Sequence, residues 1–295
     1  ATSTFMEKAI MALPMTLLII SGEIDLSVAS TLGLSSAVLG KTWEHGWPLW
    51  LCIVAAIAVG AACGLFNGLF VTKVGLPSLV VTLGTLALYR GLAYVVLGST
   101  AVSDYPQGFN NFGLRAITGT VIPWSMLIFI PLLIFFAVLL HRSWVGRQIY
   151  AIGINKEAAR FSAVRVDRIK LWLFVATGTV SAIAGVLLTA RFSSSRADNA
   201  LGFELDVIAV VLLGGVSIFG GKGSLLGVTL ALGVVAVIRN ALAITNVGAD
   251  IQSFVVGALL ILSVLGPNLV ARMPRLPRRP SAGRRGWPTA TEAGD

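Results

Sequence analysis

The chain has 295 residues, 56% of them hydrophobic and only 12% charged, with a mean hydropathy of +0.88. An ordinary soluble domain carries about 25% charged residues, so the composition excludes a water-soluble module and fits a polytopic membrane protein. The net charge of +9 does not mark a nucleic-acid partner, because 13 of the 22 Lys and Arg fall in two segments, 141–170 and 272–295, the bias of cytoplasmic loops.

Apolar stretches of about 17–25 residues, each long enough to cross the hydrocarbon as a helix, recur from end to end. They predict an all-α membrane helix bundle with spans near 5–22, 24–40, 48–72, 78–98, 122–140, 171–190, 206–220, 224–243 and 251–271, about nine in total. Residues 1–271 then form one membrane domain and 272–295 a basic, disordered cytoplasmic tail. If 141–170 and the tail are both cytoplasmic, Lys73 is cytoplasmic too and Ala1 falls on the outer face. One preceding helix is therefore expected, giving ten in the complete pattern.

Between the first two spans lies SGEIDLSVAS, Ser21 to Ser30, with two carboxylates where charge is costly. Two readings stand. Asp25 caps the next helix at the cytoplasmic edge by accepting the N–H of Ser27 or Val28. Alternatively the helix is broken inside the membrane, and Glu23, Asp25 and Ser27 line a solute's route. Glu23 has no capping task and is the better discriminator. Asn67, Thr82, Thr85, Arg90, Asn240 and Gln252 also lie in apolar spans, as interhelical glue or as weak solute contacts. Cys52 and Cys63 share one apolar segment and read as small packing residues, not a disulfide or metal site.

Further along, 99–121 and 192–205 are polar outer connections suited to a soluble partner. The basic segment contains YAIGINKEAARFSAVRVDRIK, Tyr150 to Lys170. Asn155 is a candidate N-cap and Glu157 sits in the first turn, which predicts a short helix on the cytoplasmic face. Its small pair, Ala158 and Ala159, lets another protein approach closely. The span at 206–220 is about 15 residues, roughly 22 Å of helix, and must be completed by non-helical backbone or a thinned bilayer. GGKGS, Gly220 to Ser224, is no phosphate loop, since Val216 stands where its first Gly belongs and Gly223 where Ser or Thr must follow Lys222.

Four motifs in this order resemble the permeases of bacterial ABC sugar importers of the ribose type, in the branched-chain amino acid/sugar permease family. They are GEIDLSVAS (22–30), PSLVVTLGTLALYRG (77–91), the pattern G-I-N-x-E-A-A-R-x-S (153–162) and ELDVIAVVLLGGVSIFGGKGSLLG (204–227). The resemblance implies a coupling helix carried by Gly153, Asn155, Glu157, Ala158, Ala159, Arg160 and Ser162, and a solute pathway near Glu23, Asp25, Ser27, Asn67, Thr82, Thr85 and Gln252. It implies as partners a cytoplasmic ATP-binding subunit, a periplasmic sugar-binding protein and a second permease, identical or not, all at the inner membrane. No cofactor, metal or catalytic residue is expected in this chain. GEIDLSVAS and SSSRADNA are similar to the rhamnose and autoinducer-2 branch, so a deoxyhexose such as rhamnose is the expected cargo. Two alternatives remain: a secondary carrier or channel in which Glu23 or Asp25 carries a coupling proton, and a branched-chain amino acid permease in which Glu23 meets an ammonium.

Overall fold

The computed structural model describes residues 5–116 and 123–245, with 247, 248, 251, 252, 254, 255, 257–259 and 261 beyond them. Helices dominate: α1 (Met6–Ile20), α2 (Val28–Glu44), α3 (Leu49–Leu69, running on through a π-helical turn, Phe70–Val74), α4 (Ser78–Leu97), α5 (Gln107–Leu114) and α6 (Met126–His141). They are followed by α7 (Trp144–Ile154), α8 (Lys156–Phe161), α9 (Val166–Phe192), α10 (Phe203–Leu213) and α11 (Leu225–Ile244). The described residues contain no strand longer than an isolated bridge, such as the one pairing Val102 with Ser195.

Four helical stretches are long and apolar enough to cross a membrane unaided: Leu49–Val74, Ser78–Leu97, Val166–Phe192 and Leu225–Ile244. The pair α6 and α7, bent by 66°, makes a fifth if taken as one span. The nine expected spans are thus matched in part, because α1, α2 and α10 have only 15, 17 and 11 residues. The ninth, 251–271, and the tail at 272–295 fall partly or wholly outside the described residues.

The sequence predicts a plain connection at 99–121 and, within 141–170, only the short helix that follows Asn155; each stretch contains a further helix that hydropathy does not reveal. In the first, α5 turns Phe109 inward, and its Gly113 lies so close to the backbone of Ala190 and Arg191 that a Cβ has no room. In the second, the Ser143 hydroxyl caps α7 by accepting the N–H of Gly146 at 3.2 Å, and Ile149 and Ile152 are buried. Both helices are short and amphipathic, so a window tuned to long apolar runs passes over them.

Every residue of α1 is buried, with α6, α7, α9, α10 and α11 packed around it. The most extensive helix pair is α3 with α9. Gly60, Gly64 and Gly68 recur every fourth residue on α3, against Phe174, Gly178 and Ala182 of α9. A Cβ on Gly178 would stand 2.8 Å from the Gly64 nitrogen, and one on Gly68 2.8 Å from a Leu171 methyl. With no hydrophobic effect to drive helices together in lipid, such close backbone contact is what holds a pair. At the far end of the bundle, α10 stops at Gly214, and non-helical backbone continues to Ser224, as its short apolar run requires.

Candidate functional site

Where α1 stops, the Ser21 hydroxyl donates to the Leu18 carbonyl at 2.7 Å and Gly22 takes a left-handed conformation at φ 84°. Asp25 then accepts from the Ser27 N–H at 2.8 Å and the Ser27 hydroxyl at 2.6 Å, which fixes the entry to α2. This local Asx turn makes the Asp25–Ser27 contact that the sequence suggests, but it precedes α2, whose N-cap residue Ser27 makes no side-chain capping bond.

The same Ser27 oxygen accepts from the Asn67 amide of α3 at 2.8 Å, and the Tyr89 hydroxyl of α4 lies 3.0 Å from both Asn67 Oδ1 and the Cys63 carbonyl. Thr82 donates to the Ser78 carbonyl at 2.8 Å and lies 3.4 Å from the Ile24 carbonyl, while Ser78 accepts from the Ile24 N–H at 3.3 Å. Thr85 follows one turn on, 3.4 Å from the Thr82 carbonyl. Asp25, Ser27, Asn67, Thr82 and Thr85 are thus gathered into one buried polar cluster joining the start of α2 to α3 and α4.

Glu23 and Gln252 stand apart from it. Glu23 forms an ion pair with Lys170 near the start of α9, their side chains 12% and 5% exposed. Lys170 counts at sequence level as one more positive charge of a cytoplasmic loop; its burial, and hence its task, emerges only from the fold. Gln252 donates to the Val247 carbonyl at 2.9 Å and lines a cavity of about 320 Å³ toward the other end of the bundle.

That cavity holds a charged network for which the sequence offers only the positions of its charges. Asp206 of α10 pairs with Lys8 of α1 and, at 2.7 Å, with Arg239 of α11, while Arg191 of α9 donates to Glu7 at 2.7 Å. Lys8 also lies 4.1 Å from the centre of the Phe203 ring. Charges at 7, 8, 206 and 239 inside otherwise apolar helices are the signal that reveals it, since a charge in lipid needs a partner.

Around the C-terminal end of α1, three segments meet through backbone contacts. Gly221 donates to the Ile20 carbonyl at 2.8 Å, and Gly153, near the end of α7, packs against both groups with no space for a side chain. The Tyr150 hydroxyl of α7 donates to the Gly223 carbonyl at 2.7 Å. Gly220 and Gly221, at φ 81° and 73°, hold turns that a side chain strains. These positions are what the GGKGS stretch supplies.

Directly after Gly153 comes α8. Asn155 Oδ1 accepts from the N–H groups of Glu157 and Ala158, each at 3.0 Å, as a capping residue does. Arg160 donates to Asp167 at 2.9 Å and lies 3.4 Å from Glu157, and the Asp167 carboxylate raises the Arg160 guanidinium above its ordinary range. Ser162 donates to the Ala158 carbonyl at 3.0 Å. The alanines divide: Ala158 is exposed, whereas Ala159 is buried with Ile152 and Val166. Ile154, Phe161 and Phe219 stay exposed beside them, at 74%, 91% and 90%.

The site therefore offers hydrogen-bonding groups and a mechanical connection. A surface helix, α8, lies between α7, which packs through Gly153 on the Ile20 carbonyl at the end of α1, and α9, which pairs through Lys170 with the Glu23 side chain just beyond it. No group of three or more His, Cys, Asp or Glu residues is placed to hold a metal ion among the described residues.

Residues 2–264 match the family described as branched-chain amino acid transport system / permease component. The autoinducer 2 import system permease protein LsrD of Yersinia enterocolitica is 38% identical over 275 residues, covering 91% of this chain and 82% of that protein. Its namesakes in Klebsiella pneumoniae and Salmonella paratyphi B are 36% and 38% identical over the same shares. No solved structure matches. With this match running almost from end to end, and helices that suit a bilayer, the chain belongs to the branched-chain amino acid transport system / permease component family, the inner-membrane permeases of ABC importers.

Proposed function

We propose that this chain is the membrane-spanning subunit through which an ABC importer moves a small polyhydroxylated solute of the sugar type into the cytoplasm. Energy comes from a separate cytoplasmic ATP-binding subunit, and a periplasmic binding protein delivers the solute to the pathway formed with a second permease. The observation that carries this reading is the attachment of α8, through Gly153 and Lys170, to the polar break between α1 and α2. A push on α8 has a short, stiff route to the Asp25–Ser27–Asn67 cluster. In this reading Glu157, Ala158, Arg160 and Ser162 meet the ATP-binding subunit, Asn155 and Ala159 hold the helix in place, and the cluster with Thr82 and Thr85 borders the solute's route. Gln252 and the charged cavity belong to the outer approach.

The names of the relatives put autoinducer 2 ahead of a rhamnose-like deoxyhexose as the first solute to test. A branched-chain amino acid is less well served. Its ammonium needs a free carboxylate, and Glu23 is engaged by Lys170 while Asp25 is engaged by Ser27. A secondary carrier is less well supported, since the family and the relatives this chain resembles are permease components of import systems.

The test is uptake in proteoliposomes containing this chain with its ATP-binding and solute-binding partners. Uptake of a labelled sugar-type solute that requires ATP and survives an uncoupler supports the proposal. Uptake driven by a proton gradient without ATP, or of leucine in preference to the sugar, refutes it.

A further inference from the structure

The 66° bend between α6 and α7 leaves, against the first turns of α9, a cavity of about 730 Å³ that the transport reading does not use. Phe135 and Phe136 of α6, Trp144 of α7 and Trp172 of α9 give it apolar walls, and Arg165 and Arg168 line the same space. Both arginines are exposed, and among the described residues neither has an ion-pair partner, although Arg160 nearby is held by Glu157 and Asp167. Trp144 and Trp172 are 63% and 61% exposed. Tryptophans collect at the headgroup level of a bilayer because their rings are apolar and their N–H groups polar.

We infer that this cavity binds an anionic phospholipid of the cytoplasmic leaflet, its phosphate against Arg165 and Arg168 and an acyl chain along Phe135, Phe136 and Trp172. The two halves of the site select this class together. A free phosphate leaves the aromatic walls unused, and a zwitterionic lipid brings no net charge to the two guanidinium groups. Basic pockets between helices on the cytoplasmic side suit anionic headgroups, because the surface potential there is negative and each arginine adds to the attraction.

The test uses the full chain in native membranes, with a photo-crosslinking residue at Gln148, which also lines the cavity. Adducts recovered after illumination and identified by mass spectrometry should contain phosphatidylglycerol in excess over its share of the membrane. Adducts with a protein, or lipid adducts in proportion to bulk composition, overturn the inference. In nanodiscs, the double variant Arg165→Gln/Arg168→Gln should bind phosphatidylglycerol roughly thirty-fold more weakly, and Arg165→Lys/Arg168→Lys should keep most of the binding. Ala176→Phe, which narrows the cavity without touching its charge, should also weaken it. Equal retention of phosphatidylglycerol and phosphatidylcholine by the unaltered chain refutes the site even if a variant fails to fold.

Discussion

Glu23 and Lys170 are separated by 147 residues and share a nearly dry position where α1 gives way to α2 and α9 begins. Removing one partner of such a pair leaves the other charged and buried, which costs about 3–5 kcal/mol, whereas replacing both with apolar groups is often neutral. Glu23→Gln is therefore expected to lower the thermal unfolding midpoint in detergent markedly, and Glu23→Gln/Lys170→Leu to restore much of it. A Glu23→Gln protein of unchanged stability but reduced transport would instead place Glu23 in the solute's route. Residues that act over a few positions are legible in the sequence, as Asn155 capping α8 and Asp25 turning onto Ser27 both demonstrate. A partner 147 residues away is not, because nothing local distinguishes Lys170 from the other charges of its loop.

Among elements, α8 and the α3–α9 pair make the sharpest tests. Ala158→Glu adds a charge to the exposed face of α8 without touching its interior. It is expected to abolish ATP-driven uptake while the chain still inserts, as measured by transport beside membrane fractionation. Ala159→Glu is the poorer probe, since it buries a carboxylate against Ile152 and Val166 and disturbs the helix itself. On α3, Gly64→Leu forces a side chain into the backbone of Phe174, an overpacking that costs about 1–3 kcal/mol or more. It should yield protein that loses monodispersity on size exclusion, whereas Gly84→Ala, which meets nothing within 4 Å, should behave as the unaltered chain. The long apolar helices α3, α4, α9 and α11 are readable from hydropathy alone. The short ones escape it because α5 and α7 stay within the fold by burying one face and not by greasiness.

For the described molecule as a whole, the buried charges at one end of α1 act as a clasp between α1 and the helices α9, α10 and α11. Asp206→Asn takes the carboxylate away from both Lys8 and Arg239. The expected result is lower yield and faster proteolysis of the membrane-inserted chain, read by pulse-chase, with partial recovery in Lys8→Met/Asp206→Asn. The full enclosure of α1 also bears on how the protein is made. Glu7 finds Arg191 only 184 residues later, and Lys8 finds Asp206 after 198. The ribosome thus releases this enclosed helix well before α9 and α10, which carry the partners of its charges. Until those arrive, Glu7 and Lys8 pass through the insertion machinery without the partners they meet in the folded bundle, and a product that stops short of Arg191 leaves both in lipid unpaired with them.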